Sequence, residues 1–446
     1  MSPQQTGAVE SMAALLRRGR FDAFLAAAVQ LDPADLADVL AALNDEERVS
    51  VVRRLPPELA SQALVEMPED THAEDTLAAL HPSEAAEIVE QLEDDDAADI
   101  LGELAPEHQA RILAEVKDRA DVEQLLRYHD ESAGGLMTGH LVMVLHGETV
   151  GQALESVRRQ AEDVEDFSQV FVVDDGRRLV GVLSFKTLVV SGPDRLVSEV
   201  MEEADVTVGP QEDQEDVARL MARYNVPSIP VVDPDGRLLG RVTFDDVIDV
   251  VEAETTEDLL RFGGVSADEE LGASWRDAVR SRLPWLFANL LTAFLAASVV
   301  LLLQDTIARF LVLAAWMPIV AGLGGNTGTQ ALAVTVRRIA LGQISPERYL
   351  GVIAKEVAVG VTNGLTIGTV AGLIAVAAGH GPMLGVVVFL AMTGNLLVAG
   401  FLGAFVPLLL KRVGADPAVS SSMFVTPFTD LCGFALLLGL AGSLLL

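Results

Sequence analysis

Hydrophobic positions are spaced in three ways along the chain, and each spacing predicts a different kind of element. Between residues 20 and 118 they recur at helical period inside short blocks. Four blocks open alike, LDPADLADVLAAL from Leu31, LPPELASQALVEM from Leu55, LHPSEAAEIVEQL from Leu80 and LAPEHQARILAEV from Leu104, about 24 residues apart. Proline near each helix start, an acid in the first turn and an apolar stripe predict short helices stacked as a solenoid. Further on, FVVDDGRRLVGVLSFKTLV from Phe171 and PVVDPDGRLLGRVTFDDVI from Pro230 repeat at an offset of 59 residues, each reading strand, turn, strand, helix. An amphipathic helix precedes each, at 150–160 and 214–224, so the predicted order is β-α-β-β-α twice. Beyond residue 283 the apolar residues run on in five stretches, 283–303, 310–336, 350–378, 383–410 and 417–444. Each is long enough to cross about 30 Å of hydrocarbon as a helix.

Charge follows the same division. Residues 1–282 carry 60 of the 65 acidic and 24 of the 31 basic side chains, whereas the apolar third is nearly neutral. So acidic a region repels nucleic acid and anionic lipid and gathers cations or basic partners. Arg276, Arg280 and Arg282 precede the first stretch, Arg337, Arg338 and Arg348 follow the second, and Lys411 and Arg412 follow the fourth. Basic residues are retained on the cytoplasmic side, which predicts an inner-membrane, multi-pass chain with the N-terminus inside and the C-terminus outside. The first residues do not read as a cleavable signal peptide, so everything before 283 is expected in the cytosol. A single cysteine, Cys432, excludes a disulfide or a Cys-based metal centre within one chain.

The chemistry-bearing residues are few. Asp430 lies in an apolar run, 13 residues after Pro417 and hence about 20 Å into the fifth stretch at 1.5 Å per residue. A carboxylate at that depth is costly and reads as an ion or proton site. Pro427 should free the carbonyl of Met423, and Thr426 and Thr429 add oxygens. The second stretch holds MPIVAGLGGNTGTQ, in which Pro318 frees the carbonyl of Ala314, four glycines permit close helix approach, and Asn326 and Gln330 share one face. Asp416 is placed to cap the fifth helix. Between 250 and 282 the chain is too charged to enter lipid, and Glu252, Glu254, Glu257 and Asp258 cluster with Asp245, Asp246 and Asp249 at helical spacing. Oxygen ligands of this kind suit hard divalent cations that arrive with their waters.

The repeat at 137–252 resembles a tandem pair of CBS domains. In CBS domains that bind nucleotides, a Thr or Ser after the last strand and an Asp three residues on hold the ribose. The second copy offers Thr243 and Asp246; the first offers Ser184 and Thr187 and lacks the acid. Over the whole chain, an acidic helical domain, tandem CBS domains, a connecting helix and five spans bearing GGNTGTQ and an acid in the last resemble the MgtE family of magnesium channels and transporters. The expected fold is a multidomain membrane protein. It has an all-α superhelical domain at 1–130, α/β tandem CBS domains at 131–252 (137–197 and 198–252), a connecting helix at 253–282 and a five-helix α transmembrane domain at 283–446. The resemblance implies a homodimer in membrane lipid with a pore between subunits, closed when Mg²⁺ binds the cytosolic region. It places Asp430 on the hydrated ion, with Thr426, Thr429, Asn326 and Gln330 along the path. It assigns regulatory Mg²⁺ to Asp95, Asp99, Asp213, Asp246, Asp249, Glu254, Glu257, Asp258 and Asp416, and ATP to the CBS pair through Thr243 and Asp246. Asn225 stands where some relatives carry an acid, and Thr187 where an Asp is expected.

Two other classes compete. A proton-coupled divalent transporter also wants one intramembrane acid, and a CBS-regulated membrane sensor explains the CBS pair but not the polar motif of the second stretch. An enzyme is poorly supported, because the chain has no HExxH, no Walker-type phosphate loop and no second intramembrane Asp to form a dyad.

Overall fold

The 24-residue repeat contains two helices rather than one. In the computed structural model, which describes residues 12, 15, 16, 19–68, 71–117, 119–161, 164, 167–265, 274–415 and 417–445, the helices Pro33–Ala41, Pro57–Val65, Pro82–Val89 and Pro106–Leu113 form one row, each packed on the next. Asp45–Val52, Ala73–Ala79 and Asp94–Gly102 form a second row. Side chains do the capping: Asp32 accepts from the Ala34 N–H, Asn44 from the Glu47 N–H, and His81 and Glu84 make a reciprocal pair. Leu36, Leu40, Leu64, Leu77 and Leu101, all fully buried, fill the space between the rows.

In the first CBS repeat Met143–Leu145 runs parallel to Gln169–Val173, which pairs antiparallel with Leu179–Ser184. The second repeat has only Ser228–Val232 antiparallel to Leu238–Thr243. Its expected first strand is reduced to one bridge, Val208 to Val231, because Gly209 and Pro210 follow at once and proline has no N–H to continue a ladder. Both copies bulge at equivalent places, Val172/Val173 and Val231/Val232. Their turns differ by one residue. Gly236 takes the left-handed conformation in the second, whereas in the first Gly176 comes one position early and Arg177 adopts φ 61° instead. Helix Phe244–Phe262 ends the second repeat.

The core of the helical repeat continues into the second CBS copy, from Phe24 to Val250, while the first copy has a core of its own around Val144, Val170 and Leu183. These elements make up the unit Met1–Glu252; a second unit is Ala253–Leu446. The expected connecting helix is not one element. Its start belongs to Phe244–Phe262, which stops where Gly264 turns left-handed and Val265 N–H bonds back to the Leu260 carbonyl. Its end, from Trp275, is the opening of a 28-residue helix that goes straight on to Leu302.

Helices form over all five stretches expected to span the membrane, as Trp275–Leu302, Leu313–Ala340, Tyr349–Ala377, Pro382–Arg412 and Pro417–Leu444, the first to fifth spans in chain order. Among the described residues four helices are long and apolar enough to cross a membrane; the second span is as long as the first but its GGNTGTQ motif makes it too polar to qualify. It is instead carried by its neighbours. The fourth span is the centre, packed on the second, third and fifth, and the first leans chiefly on the fifth and is exposed over most of its length.

Small residues let these backbones touch. A methyl at Gly360 of the third span would meet the Leu396 carbonyl oxygen at 2.4 Å, and one at Gly328 of the second would meet Val425 Cγ1 of the fifth at 2.4 Å. Gly328→Val should therefore force the second and fifth spans apart. We expect its melting temperature in detergent to fall by about 3 °C or more, the size of shift that roughly 1 kcal/mol causes in a unit of this length; an unchanged melt would show that the two spans do not pack this way.

Candidate ion sites

Asp430 lies on the fifth span, half-buried, beside Thr426, which is exposed one turn earlier. The helix continues through Pro427, and so does the second span through Pro318, each ring removing one donor without ending the helix. Gly325 brings the second span against Thr426, leaving room for a Cβ at 3.5 Å from its methyl. Asn326 and Gln330 are both exposed. The sites expected on the path thus divide: Asp430, Thr426, Asn326 and Gln330 keep access to the outside of the helix pair, but Thr429 does not. It is fully buried, and its hydroxyl donates to the Thr426 carbonyl at 2.8 Å. A hydroxyl one position before an intramembrane acid reads equally well as ligand or as packing, and only the rotation of the helix decides. Asp416 lies outside the described residues.

Among the polar intramembrane residues that the sequence reading passed over are a buried carboxylate and a buried amide. Glu356, in the third span, is buried next to Lys355, whose ammonium is 3.4 Å from its carboxylate. Asn395, in the fourth, is fully buried. Both were visible as polar residues in apolar runs, the signal that marked Asp430.

A second site lies in the other unit. Helix Asp94–Gly102 opens with three consecutive acids, and Asp95 points into the interior, 6% exposed, its Oδ1 buried with no hydrogen-bond partner among the described residues. Asp246, at the start of helix Phe244–Phe262, faces the same cluster, as its charge acts on Asp95, Asp96 and Asp99. Asp246 takes hydrogen bonds from the Thr243 N–H, at 3.2 Å, and from the Thr243 hydroxyl. Burial, reinforced by these neighbouring carboxylates, raises Asp95 well above the ordinary range and pushes Asp96 and Asp99 up to about 7. Burial likewise lifts Asp246 to about 6, against the pull of the Thr243 bonds. His140 Nε2 stands 3.8 Å from Asp94 Oδ2 at the margin. Asp96 was not singled out from the sequence, although it sits in the run DDD.

The remaining expected regulatory positions do not join this cluster in a common geometry. Asp213 caps helix Gln214–Tyr224 by accepting from the Glu215 N–H at 2.9 Å. Asp249 is exposed and raised by partial burial, Glu252 and Asp245. Glu257 pairs with Arg261, and Glu254 and Asp258 are half-buried on the same helix. Among the described residues no three His, Cys, Asp or Glu side chains stand in metal-ligand geometry. The acid cluster offers oxygen donors alone, the type that hard cations take, and among the described residues Asp95 Oδ1 is buried without a hydrogen-bond partner. The nucleotide positions differ as the sequence indicated. Thr243 and Asp246 bond each other, and Ser184 and Thr187 share a hydroxyl contact of 2.8 Å with no acid.

The cluster has a pH signature. Free carboxylates lose their protons near 3.8, but Asp96 and Asp99 hold theirs to about 7 and Asp246 to about 6. Between those limits the folded unit binds more protons than the unfolded chain, so stability falls as pH rises. In Mg²⁺-free buffer the melting temperature of the full chain should drop by about 3 °C or more from pH 5.5 to pH 8. A flat or rising profile would show that these acids are not buried together.

The fold and these sites define a class: a multi-span membrane protein whose apolar bundle carries an acid and amides along one helix pair and whose other unit couples a helical repeat to a CBS pair. Three family models match in the same order, the MgtE intracellular N domain over 31–131, CBS domains over 133–191 and 197–253, and the MgtE divalent cation transporter over 317–440. The chain is 39% identical over 335 residues to the magnesium transporter MgtE of Thermus thermophilus, covering 74% of this chain and 73% of that protein. It is 38% identical over 392 residues to the magnesium transporter MgtE of Enterococcus faecalis, covering 87% and 86%. The solved cytosolic domain of the Mg²⁺ channel MgtE in complex with ATP is similar at 38% identity and a TM-score of 0.51, over 54% of this chain and 99% of that one. The soluble part of a magnesium transporter is similar at 29% identity, again with a TM-score of 0.51, over 56% and 99%. The chain belongs to the MgtE family, a family of transporters and not of enzymes.

Proposed function

We propose that the protein carries Mg²⁺ across the cell membrane through a path lined by Asp430, Thr426, Asn326 and Gln330, and that Mg²⁺ bound at the acid cluster closes that path. The observation that carries the first half is the half-buried Asp430 in an apolar helix, on a helix pair whose Asn326 and Gln330 remain exposed in the single chain. A second copy of the chain completes the path, so that two carboxylates attract a divalent ion while amides and carbonyls bond its water shell. Mg²⁺ gives up water reluctantly, and this arrangement does not require it to.

Closure rests on the acid cluster. Without divalent ions, these carboxylates, once ionised, repel by on the order of 1 kcal/mol per contact pair in wet surroundings and more as water is excluded. Asp95, Asp99 and Asp246 then push helix Asp94–Gly102 away from the second CBS repeat. Bound Mg²⁺ reverses the repulsion, and the helix ending at Phe262 delivers the change. Phe262 packs on Leu332 and Val336 of the second span and Val425 of the fifth. This coupling needs only that the ion prefer the closed state. Asp213 and Asp249 of the acidic unit, Glu254, Glu257 and Asp258 further along helix Phe244–Phe262, and Asp416 just before Pro417 add further cation-binding oxygens on the cytosolic side. ATP is a second ligand of the CBS pair, held by Thr243 and Asp246; the ATP-bound relative supports that reading.

The test is Mg²⁺ flux into liposomes holding the purified chain, with internal and external Mg²⁺ varied separately. Flux suppressed by millimolar Mg²⁺ on the side of the acidic unit is the expected result. Flux seen only under an imposed proton gradient would replace the channel with a coupled transporter, and no divalent flux would leave a membrane sensor.

A further inference from the structure

Among the described residues Asn395 is the one fully buried asparagine, and its surroundings are built around it. From the fourth span its amide Nδ2 donates to the Val320 carbonyl of the second at 2.9 Å. That carbonyl is also the acceptor that the regular helix pattern assigns to the Gly324 N–H, so the amide adds a bond between spans to one within a span. Two glycines make room. A methyl at Gly324 would lie 2.2 Å from Nδ2, and one at Gly433 of the fifth span would lie 2.8 Å from it. Gly433 also faces Val320, where a methyl would meet Cγ1 at 3.4 Å. Three spans therefore cross at one amide.

The crossing sits beside the ion path. Gly324 is two residues before Asn326, and Gly433 is three residues, nearly one helical turn, after Asp430. We infer that Asn395 is a positioning residue for ion passage, fixing the register of the second span against the fifth and so the distance between Asn326 and Asp430. The inference rests on the path proposed above. Packing alone does not explain the residue. Its Oδ1 is buried with no hydrogen-bond partner among the described residues, a cost that a leucine of nearly the same shape would remove. The amide is retained where an apolar side chain would be easier to bury.

The two explanations separate in one variant. Asn395→Leu in the full chain is measured for melting temperature in detergent and, in liposomes, for the half-saturating Mg²⁺ concentration and the Mg²⁺ to Ca²⁺ flux ratio. A positioning role predicts a melting temperature equal to or above wild type with the half-saturating concentration raised about tenfold or more and the flux ratio reduced, since a small misplacement of ligands is enough for such losses. Transport values equal to wild type would overturn the proposal, whether or not the melt changes. If Asn395→Leu is not recovered folded, Gly433→Ala, whose methyl presses on the same amide, is read in the same assay, and wild-type transport there overturns it too. Asp430→Asn run in parallel separates the failures. Should Asp430→Asn transport normally, the ion path is wrong; should only the Asn395 and Gly433 variants do so, the path stands without this latch.

Discussion

Asp430→Asn is expected to lower Mg²⁺ uptake by about 100-fold or more, equivalent to about 2.8 kcal/mol at 1.4 kcal/mol per tenfold change. Asparagine keeps the shape of the side chain and its capacity for hydrogen bonds but removes the charge, so the variant separates electrostatic attraction from geometry. A divalent ion entering an apolar layer gives up long-range solvation, and the protein replaces it only where a fixed negative charge stands at that depth. Thr426, Asn326 and Gln330 hold the water shell without charge and do not substitute for it. Asp430→Ala should behave alike, with the variant protein remaining folded and melting within a few degrees of wild type, because the side chain is only half-buried. Uptake by Asp430→Asn within a factor of two of wild type would remove Asp430 from the mechanism.

The second large effect is expected at the acid cluster. In wild type, Mg²⁺ at about 100 times its dissociation constant should stabilise the acidic unit by about 2.7 kcal/mol, and so raise its melting temperature by about 5 °C or more. Replacing Asp95, Asp99 and Asp246 together by Asn removes both the repulsion and the ligands. The triple variant should melt higher than wild type in Mg²⁺-free buffer at pH 8, gain nothing from added Mg²⁺, and conduct at a rate that no longer falls as Mg²⁺ on the acidic side rises. The three charges are set against each other by burial, so their removal relieves a strain that wild type carries until a cation arrives. Suppression of flux at the same Mg²⁺ concentration as wild type would show that closure is sensed elsewhere.

Sequence alone determined the features that depend on runs of neighbouring residues. The repeat around Leu31, Leu55, Leu80 and Leu104, the 59-residue offset of the CBS copies, the five long apolar helices and the isolated Asp430 all follow from periodicity and length, which are local properties of the chain. The MgtE family was legible for the same reason, since its motifs are contiguous. Tertiary structure decided what depends on residues distant in sequence. The second span, which carries the polar GGNTGTQ motif, is housed by the fourth and fifth. Thr429 points inward because Gly328 and Thr426 fix the rotation of the fifth span, and Asn395 meets Val320 across 75 residues. Asp95, Asp96, Asp99 and Asp246 become one site only because the helical repeat and the second CBS copy share a core. A carboxylate's tendency to lose its proton is set by how much water and how many like charges surround it, and no local pattern of residues records that.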